Sequence, residues 1–134
     1  MGDLIELSFV LLDPDETARD RLATYIAYHF RFRVRHAARL ADLEAILQSP
    51  GKGHVDGVIA DKTIGDGDFL LWAQSHAHLL EGLVVVCYTG GDLDSLYRWG
   101  ARPARFPVLR AQDLDGLGEA IKDEYCRLLS ESLR

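Results

Sequence analysis

The chain has 134 residues, of which 48% are apolar and 27% are charged, and its formal net charge is −6. This length suits one compact domain with a single core, and the large apolar share excludes a disordered chain. No apolar run reaches the roughly 20 residues that a membrane helix needs. The sequence also lacks a basic leader followed by an apolar stretch, so it predicts no secretion signal. The acidic excess argues against direct binding of nucleic acid.

The cysteines favour a cytoplasmic protein. Cys87 and Cys126 stand in apolar surroundings and at no metal-binding spacing, so we expect two buried, reduced thiols. Residues 1–134 are expected to form a single domain, which a longer regulator could carry at its N-terminal end.

Strand-like and helix-like segments alternate along the chain. Apolar runs and strict alternation predict strands at residues 7–12, 31–36, 55–60, 83–88 and 106–109. Helical apolar spacing predicts helices at residues 16–29, 40–48, 69–78, 93–99 and 114–129. The strand at 31–36 is expected at the sheet edge, since alternating arginines keep one of its faces in water.

This alternation predicts an α/β fold in which helices cover both faces of a parallel sheet. Right-handed crossovers and the chain length favour a doubly wound, five-stranded sheet in the order 2-1-3-4-5, a three-layer sandwich of the flavodoxin-like type. Ligands of such sheets bind at the carboxyl ends of the strands, near the switch point between strands one and three.

Polar residues stand at the ends of three predicted strands. Asp13 follows the first strand, Asp61 the third and Thr89 the fourth. Since the carboxyl ends of parallel strands meet at one edge, we expect these three side chains to share one crevice.

Several stretches together resemble the receiver (CheY-like) domains of two-component response regulators. They are LLDPDE at residues 11–16 with Arg19, DKTIGDGD at 61–68, VCYTG at 86–90, GA at 100–101 and FP at 106–107. The resemblance extends over essentially the whole chain.

This resemblance implies roles for individual residues. Asp61 would accept a phosphoryl group from a histidine kinase, and Thr89 would be the switch hydroxyl. Asp13 and Asp61 would hold Mg²⁺ together with the backbone carbonyl of Thr63, and Pro107 would follow a cis peptide bond.

Two departures from the receiver pattern weaken the implied site. Pro14 replaces the second metal-binding acid, although Asp15 could substitute as a ligand, and Phe106 replaces the lysine that neutralises the phosphoryl group. Phosphoryl transfer relies on positioned positive charge, and strand alternation should turn Lys62 away from Asp61. We therefore interpret the chain as a degenerate receiver with a weak Mg²⁺ site, in which phosphorylation of Asp61 is absent, weak or atypical.

The signalling surface is also expected to differ from that of typical receivers. Gly100 follows Thr89 by only eleven positions, which shortens the fourth helix. Nearby arginines, Arg98, Arg102, Arg105 and Arg110, suggest an altered partner surface. The expected partner is a protein, a fused output domain, a histidine kinase or a second copy of the chain, and no enzymatic activity is expected.

Three alternatives remain open. Asp13 alone could serve as the cap of the first helix. The sequence DPDET at 13–17 resembles the first motif of haloacid-dehalogenase-like phosphatases, with Asp13 as nucleophile and Asp15 as general acid and base. Those enzymes also need a later lysine and an acidic pair at a strand end, whereas the one lysine after Thr89 is Lys122 in the last predicted helix. Finally, the domain could be an interaction scaffold that operates without phosphorylation.

Overall fold

The computed structural model describes residues 7–49, 55–89, 108–110 and 114–132. The strands, in chain order, are β1 (Ser8–Leu12), β2 (Arg33–Ala37), β3 (Gly57–Asp61), β4 (Thr63–Ile64), β5 (Gly67–Asp68), β6 (Val84–Thr89) and β7 (Val108–Arg110). The helices are α1 (Glu16–Phe30), α2 (Leu40–Leu47), α3 (Phe69–Ser75), α4 (Ala77–Leu80) and α5 (Leu114–Ser132).

The main sheet contains five parallel strands in the order β2-β1-β3-β6-β7. β4 and β5 form a separate antiparallel hairpin after β3. With the hairpin set aside, the order is the predicted 2-1-3-4-5, so the doubly wound α/β fold is confirmed. The switch point lies between β1 and β3, and the carboxyl ends of β1, β3 and β6 therefore lie side by side.

Both faces of the sheet are buried, which explains why its central strands are apolar along their whole length. One cluster joins the sheet to α2 and α3 and includes Val10, Leu12, Val58, Ala60, Leu43 and Phe69. The other joins it to α1 and α5 and includes Phe9, Leu11, Ile59, Val86, Ile26 and Ile121. Alternate residues of each strand thus feed opposite layers of the predicted three-layer sandwich.

β2 lies at one edge of the sheet, as predicted, but it begins later than the alternating pattern indicated. Arg31 ends α1 in the left-handed conformation, with φ at 57°, and its backbone N–H donates to the carbonyl of Ala27. That turn places Arg31 outside the sheet, and pairing with β1 starts only at Arg33. The end of α1 therefore fixes the start of β2 at Arg33, whereas the side-chain pattern placed that start at residue 31.

The hairpin after β3 caps a helix that is distant in sequence. Asp66, in the hairpin turn, accepts hydrogen bonds from the backbone N–H groups of Leu40 at 2.9 Å and Ala41 at 3.2 Å. The residue at the N-cap position of α2, Arg39, makes no side-chain cap of its own. The bond from Leu40, foremost among several backbone N–H groups, lowers the pKa of the Asp66 carboxyl. The hairpin that follows β3 thus ties this part of the sheet to α2.

The helix predicted over residues 69–78 is divided at His76. α3 ends at Ser75 and α4 begins at Ala77, because His76 adopts φ −121° and ψ 28°, outside the helical range. The imidazole contacts the Trp72 carbonyl through Nδ1 at 2.8 Å and the Glu44 carboxylate of α2 through Nε2 at 3.0 Å. These contacts join α2 to α3 at the break.

The last helix corrects the expectation for the cysteines. Cys87 is buried in β6, but Cys126 is exposed on α5, so the prediction of two buried thiols is wrong for Cys126. α5 turns Leu117, Ala120 and Ile121 towards the sheet, which leaves Cys126 on the opposite side. Within the described ranges, no helix combines the length and apolar character that crossing a bilayer requires.

Candidate functional site

Polar residues form a row across three neighbouring strands at their carboxyl ends. In the parallel register Leu12 pairs with Ala60, so the next positions, Asp13 and Asp61, lie side by side. Asp61 pairs in turn with Tyr88 of β6, and Thr89 ends that strand. The topology therefore brings Asp13, Asp61 and Thr89 to one edge, where the sequence pattern placed them.

Asp13 is buried, with 3% of its surface exposed, and both oxygens of its carboxylate accept hydrogen bonds. Oδ1 accepts from the backbone N–H of Asp15 at 2.8 Å. Oδ2 accepts from the hydroxyl of Tyr88 at 2.5 Å. The Asp13 carbonyl also accepts from the Arg19 guanidinium at 2.7 Å. Asp13 is thus held on three sides by its own chain, as burial of a charged group requires.

Tyr88 is the member of the row that the sequence pattern missed. β3 lies between β1 and β6, and neighbouring strands are about 4.8 Å apart, so the phenol must cross the end of β3 to reach Asp13. Burial is the main reason that the pKa of Tyr88 lies far above its ordinary value, followed by the bond to Asp13. The phenol therefore keeps its proton at neutral pH and can donate to Asp13. In the sequence, Tyr88 is distinguished only by its phenolic hydroxyl, the one strongly polar group in an otherwise apolar run directly before Thr89.

Asp15, rather than Asp13, caps α1. Its Oδ1 accepts from the backbone N–H groups of Thr17 at 3.0 Å and Ala18 at 3.3 Å. The alternative in which Asp13 acts as the helix cap is therefore wrong, because the Asp13 side chain turns back to the sheet edge. The capping bonds also engage the carboxylate proposed as a substitute metal ligand or as a phosphatase acid.

Two cations near the row have partners elsewhere. The Lys62 ammonium pairs with Asp68 at 2.5 Å, at the start of α3. The guanidinium of Arg19, besides its bond to the Asp13 carbonyl, donates from Nε to the His36 ring at 3.1 Å. Both positive charges are thus engaged in contacts that hold loops in place.

The donors implied for Mg²⁺ do not fit a resident cation as they are arranged. Mg²⁺ requires near-octahedral coordination by oxygens that are open to it, but both Asp13 oxygens are already hydrogen-bonded. Pro14, at the second acid's position, is exposed and has no ligand atom in its side chain. Thr63 is the first residue of β4, two positions after Asp61. Across the described ranges, no group of three or more His, Cys, Asp or Glu side chains could hold a metal ion.

Several predicted positions lie outside the described residues. They are Arg98, Arg102, Arg105, Phe106 and Pro107, together with the predicted helix at 93–99. Arg110 is the last residue of β7. Thr89 is 6% exposed at the end of β6, so the predicted switch hydroxyl lies in a buried setting.

Comparison with known proteins supports the fold independently. No protein-family model matches the sequence, and no curated protein matches it. Solved structures do match. A signal receiver domain of an HD domain-containing protein from Pseudomonas fluorescens is 16% identical with a TM-score of 0.74, and the match covers 100% of this chain and 97% of the other. A CheY-like receiver domain from Methanospirillum hungatei is 17% identical with a TM-score of 0.74, covering 94% and 98%.

A third match bears on phosphorylation in that protein. It is a response regulator from Burkholderia pseudomallei, solved with a phosphorylated aspartic acid, a calcium ion and citrate, and it is 14% identical with a TM-score of 0.72. The match covers 95% of this chain and 73% of the other. At these identities the likeness concerns the fold. We call the row formed by Asp13, Asp61 and Thr89 the acid row. The strand order, the acid row and these matches together show that the chain has the fold of the response regulator receiver, or CheY-like, domains.

Proposed function

We propose that this chain is a degenerate receiver-like signalling module, which acts by protein contact and for which phosphorylation of Asp61 is absent, weak or atypical. The observation that carries the proposal is the hydrogen bond from Tyr88 to Asp13. It engages an oxygen of the carboxylate that would have to bind a divalent cation. A receiver whose acid row is occupied by an internal hydrogen bond would lose metal-dependent phosphorylation but keep its fold as a scaffold for protein contacts.

Electrostatics favour the same proposal. A phosphoryl group on Asp61 would carry about 1.5 to 2 negative charges in place of the single charge of the carboxylate, next to the buried carboxylate of Asp13. Cations normally offset this charge during phosphoryl transfer. Here Lys62 is paired with Asp68, and Arg19 binds a backbone carbonyl and His36. Phosphorylation would therefore require these contacts to rearrange.

The phosphatase alternative gains no support from the contacts of Asp15. A general acid must be able to reach the leaving group, whereas the Oδ1 of Asp15 binds the start of α1. We infer a non-enzymatic domain. Turnover of a simple phosphoester that disappears in Asp15→Asn would contradict this inference.

The proposed contact surface is the arginine group Arg98, Arg102, Arg105 and Arg110. Such a group suits an acidic surface on a protein partner, a fused output domain, a histidine kinase or a second copy of the chain. Fusion has a precedent among similar folds, since the Pseudomonas fluorescens domain comes from an HD domain-containing protein. Neither a membrane nor nucleic acid is proposed as a partner.

Phosphorylation is tested on the intact protein. The protein is incubated with Mg²⁺ and a small acyl phosphate and then weighed by mass spectrometry, with Asp61→Asn as the matched control. We expect little or no phosphoryl adduct. A near-complete adduct on the wild type, lost in Asp61→Asn, would refute the proposal.

The contact surface is tested separately, by retention of the partner or by the signalling output. Arg102→Glu with Arg105→Glu should abolish partner retention, while Asp61→Asn leaves it unchanged. Arg33→Glu, at the exposed start of edge strand β2, is the control for a charge reversal elsewhere. Equal losses from both reversals would show a general charge effect and remove the proposed surface.

A further inference from the structure

The receiver-like site contains a tyrosine where a cation is expected. The Tyr88 hydroxyl and the Asp13 carboxylate are 2.5 Å apart and both buried, although 75 positions separate them in sequence. Asp61 lies between them on β3. Asp61 is the register partner of Tyr88, and its negative charge is one of the lesser causes of the raised pKa of Tyr88.

A phenolic proton can perform part of the task of a metal ion. A buried carboxylate is costly unless donors surround it, and a short O–H···O⁻ bond is among the stronger hydrogen bonds in proteins. Tyr88 supplies this donor at Oδ2, while the backbone N–H of Asp15 supplies one at Oδ1. Asp13 is therefore satisfied without a cation.

We propose that Tyr88 is an internal substitute for the divalent cation, and that its hydroxyl holds the acid row in one closed, metal-independent form. This inference rests on the proposed function, because it concerns the regulation of the same site. Mg²⁺ and the Tyr88 hydroxyl compete for the same oxygen of Asp13. The affinity for Mg²⁺ is consequently set by Tyr88 as well as by the replacement of an acid by Pro14.

The test compares Mg²⁺ binding by the wild type, Tyr88→Phe and Tyr88→Val, by calorimetric titration and by the shift of the thermal midpoint with MgCl₂. NaCl at matched ionic strength is the salt control. Tyr28→Phe, at a tyrosine that is 80% exposed on α1, is the control for loss of a hydroxyl elsewhere. A cation that binds only the folded state raises the midpoint as its concentration rises.

We expect Tyr88→Phe to bind Mg²⁺ at least tenfold more tightly than the wild type, and Tyr88→Val, which also removes the ring, at least as tightly as Tyr88→Phe. Adding Asp13→Asn to either variant should abolish the gain. Equal affinities of the wild type and Tyr88→Phe would overturn the inference. A gain that survives Asp13→Asn would overturn it as well, since the cation would then bind elsewhere.

A second variant keeps the proposal testable if both Tyr88 variants fail to fold. Without Mg²⁺, Asp13→Asn should raise the unfolding equilibrium constant at least fivefold, because it removes a charge-assisted bond. In a cation site without its cation, the same substitution relieves repulsion between the acids and lowers that constant. An unchanged or lower unfolding equilibrium constant for Asp13→Asn would therefore refute the proposal that Tyr88 takes the place of the metal ion. Failure of this inference would leave the proposed function standing. The proposed function is tested separately, by the intact mass of the wild type after incubation with the phosphodonor.

Discussion

The hydroxyl of Tyr88, near the end of β6, donates a 2.5 Å hydrogen bond to the carboxylate of Asp13, which follows β1. The bond crosses the end of β3, where Asp61 lies, so it links the ends of β1 and β6 through side chains alone. It lies at the carboxyl edge of the sheet, which is where doubly wound sheets generally bind their ligands.

Removal of the Tyr88 hydroxyl should destabilise the fold. Tyr88→Phe keeps the ring but leaves the buried Oδ2 of Asp13 without its donor, so we expect a loss of about 1–3 kcal/mol in the free energy of unfolding. Urea unfolding followed by circular dichroism measures the loss. Tyr28→Phe, at an exposed position, should change stability by less than about 0.5 kcal/mol. Equal effects of the two substitutions would contradict the assigned role of the bond.

Gly57 should tolerate no side chain. A Cβ at this position, at the start of β3, would lie 2.5 Å from Cε2 of Phe9 and 2.7 Å from the backbone oxygen of Val84. We expect Gly57→Ala to cost about 1–3 kcal/mol or more, because neither the packed ring nor the backbone can give way easily. Gly65→Ala is the matched control, since a Cβ there meets no atom within 4 Å. The thermal midpoints of the two variants decide the point, and similar values would contradict this packing.

Asp66 should stabilise α2 in a pH-dependent way. Asp66→Ala removes the cap of Leu40 and Ala41, with an expected loss of about 1 kcal/mol at neutral pH. Because folding lowers the pKa of Asp66, its contribution is fully present above the ordinary value of 3.8 and is lost as the pH falls through the lower folded-state pKa.

Urea titrations of the wild type and Asp66→Ala between pH 7 and pH 2 should therefore converge at the acid end. Glu119→Ala, at an exposed position in the second turn of α5, is the control for loss of an acid beyond the first turn of a helix. A difference between the wild type and Asp66→Ala that stays constant over the whole pH range would indicate a role other than the ionised cap.

The two thiols should differ sharply in reactivity. Burial, together with the negative charges of Asp61 and Asp68, raises the pKa of Cys87 far above its ordinary value, and the thiolate is the reactive form. Cys126 is exposed. Iodoacetamide should modify one cysteine in the native protein and both in urea, as counted by intact mass. Cys126→Ser should abolish the native reaction, and modification of Cys87 at a comparable rate would contradict its burial.

The local pattern of the chain was sufficient to predict the sheet and most of its edge. The apolar runs that stop at Asp13, Asp61 and Thr89 are short and continuous, as is typical of strands buried on both faces. Because parallel strands point the same way, the ends of those runs had to meet. The order β2-β1-β3-β6-β7 agrees with the one that right-handed crossovers and chain length favoured.

Contacts between distant segments decided the remainder. Tyr88 reads as one more apolar strand residue until the fold brings it to Asp13, and Asp66 reads as a turn residue until the hairpin reaches α2. Arg31 and His76 ended or divided helices through backbone angles that residue spacing does not encode.

The sequence by itself therefore determined that Asp13, Asp61 and Thr89 reach the carboxyl edge of the sheet, because the end of an apolar run is a local property of each segment. Only the tertiary structure decided which hydrogen-bond partners those residues find at that edge. A hydrogen bond depends on the positions of two groups within a few ångströms, and this distance exists only after the strands have assembled.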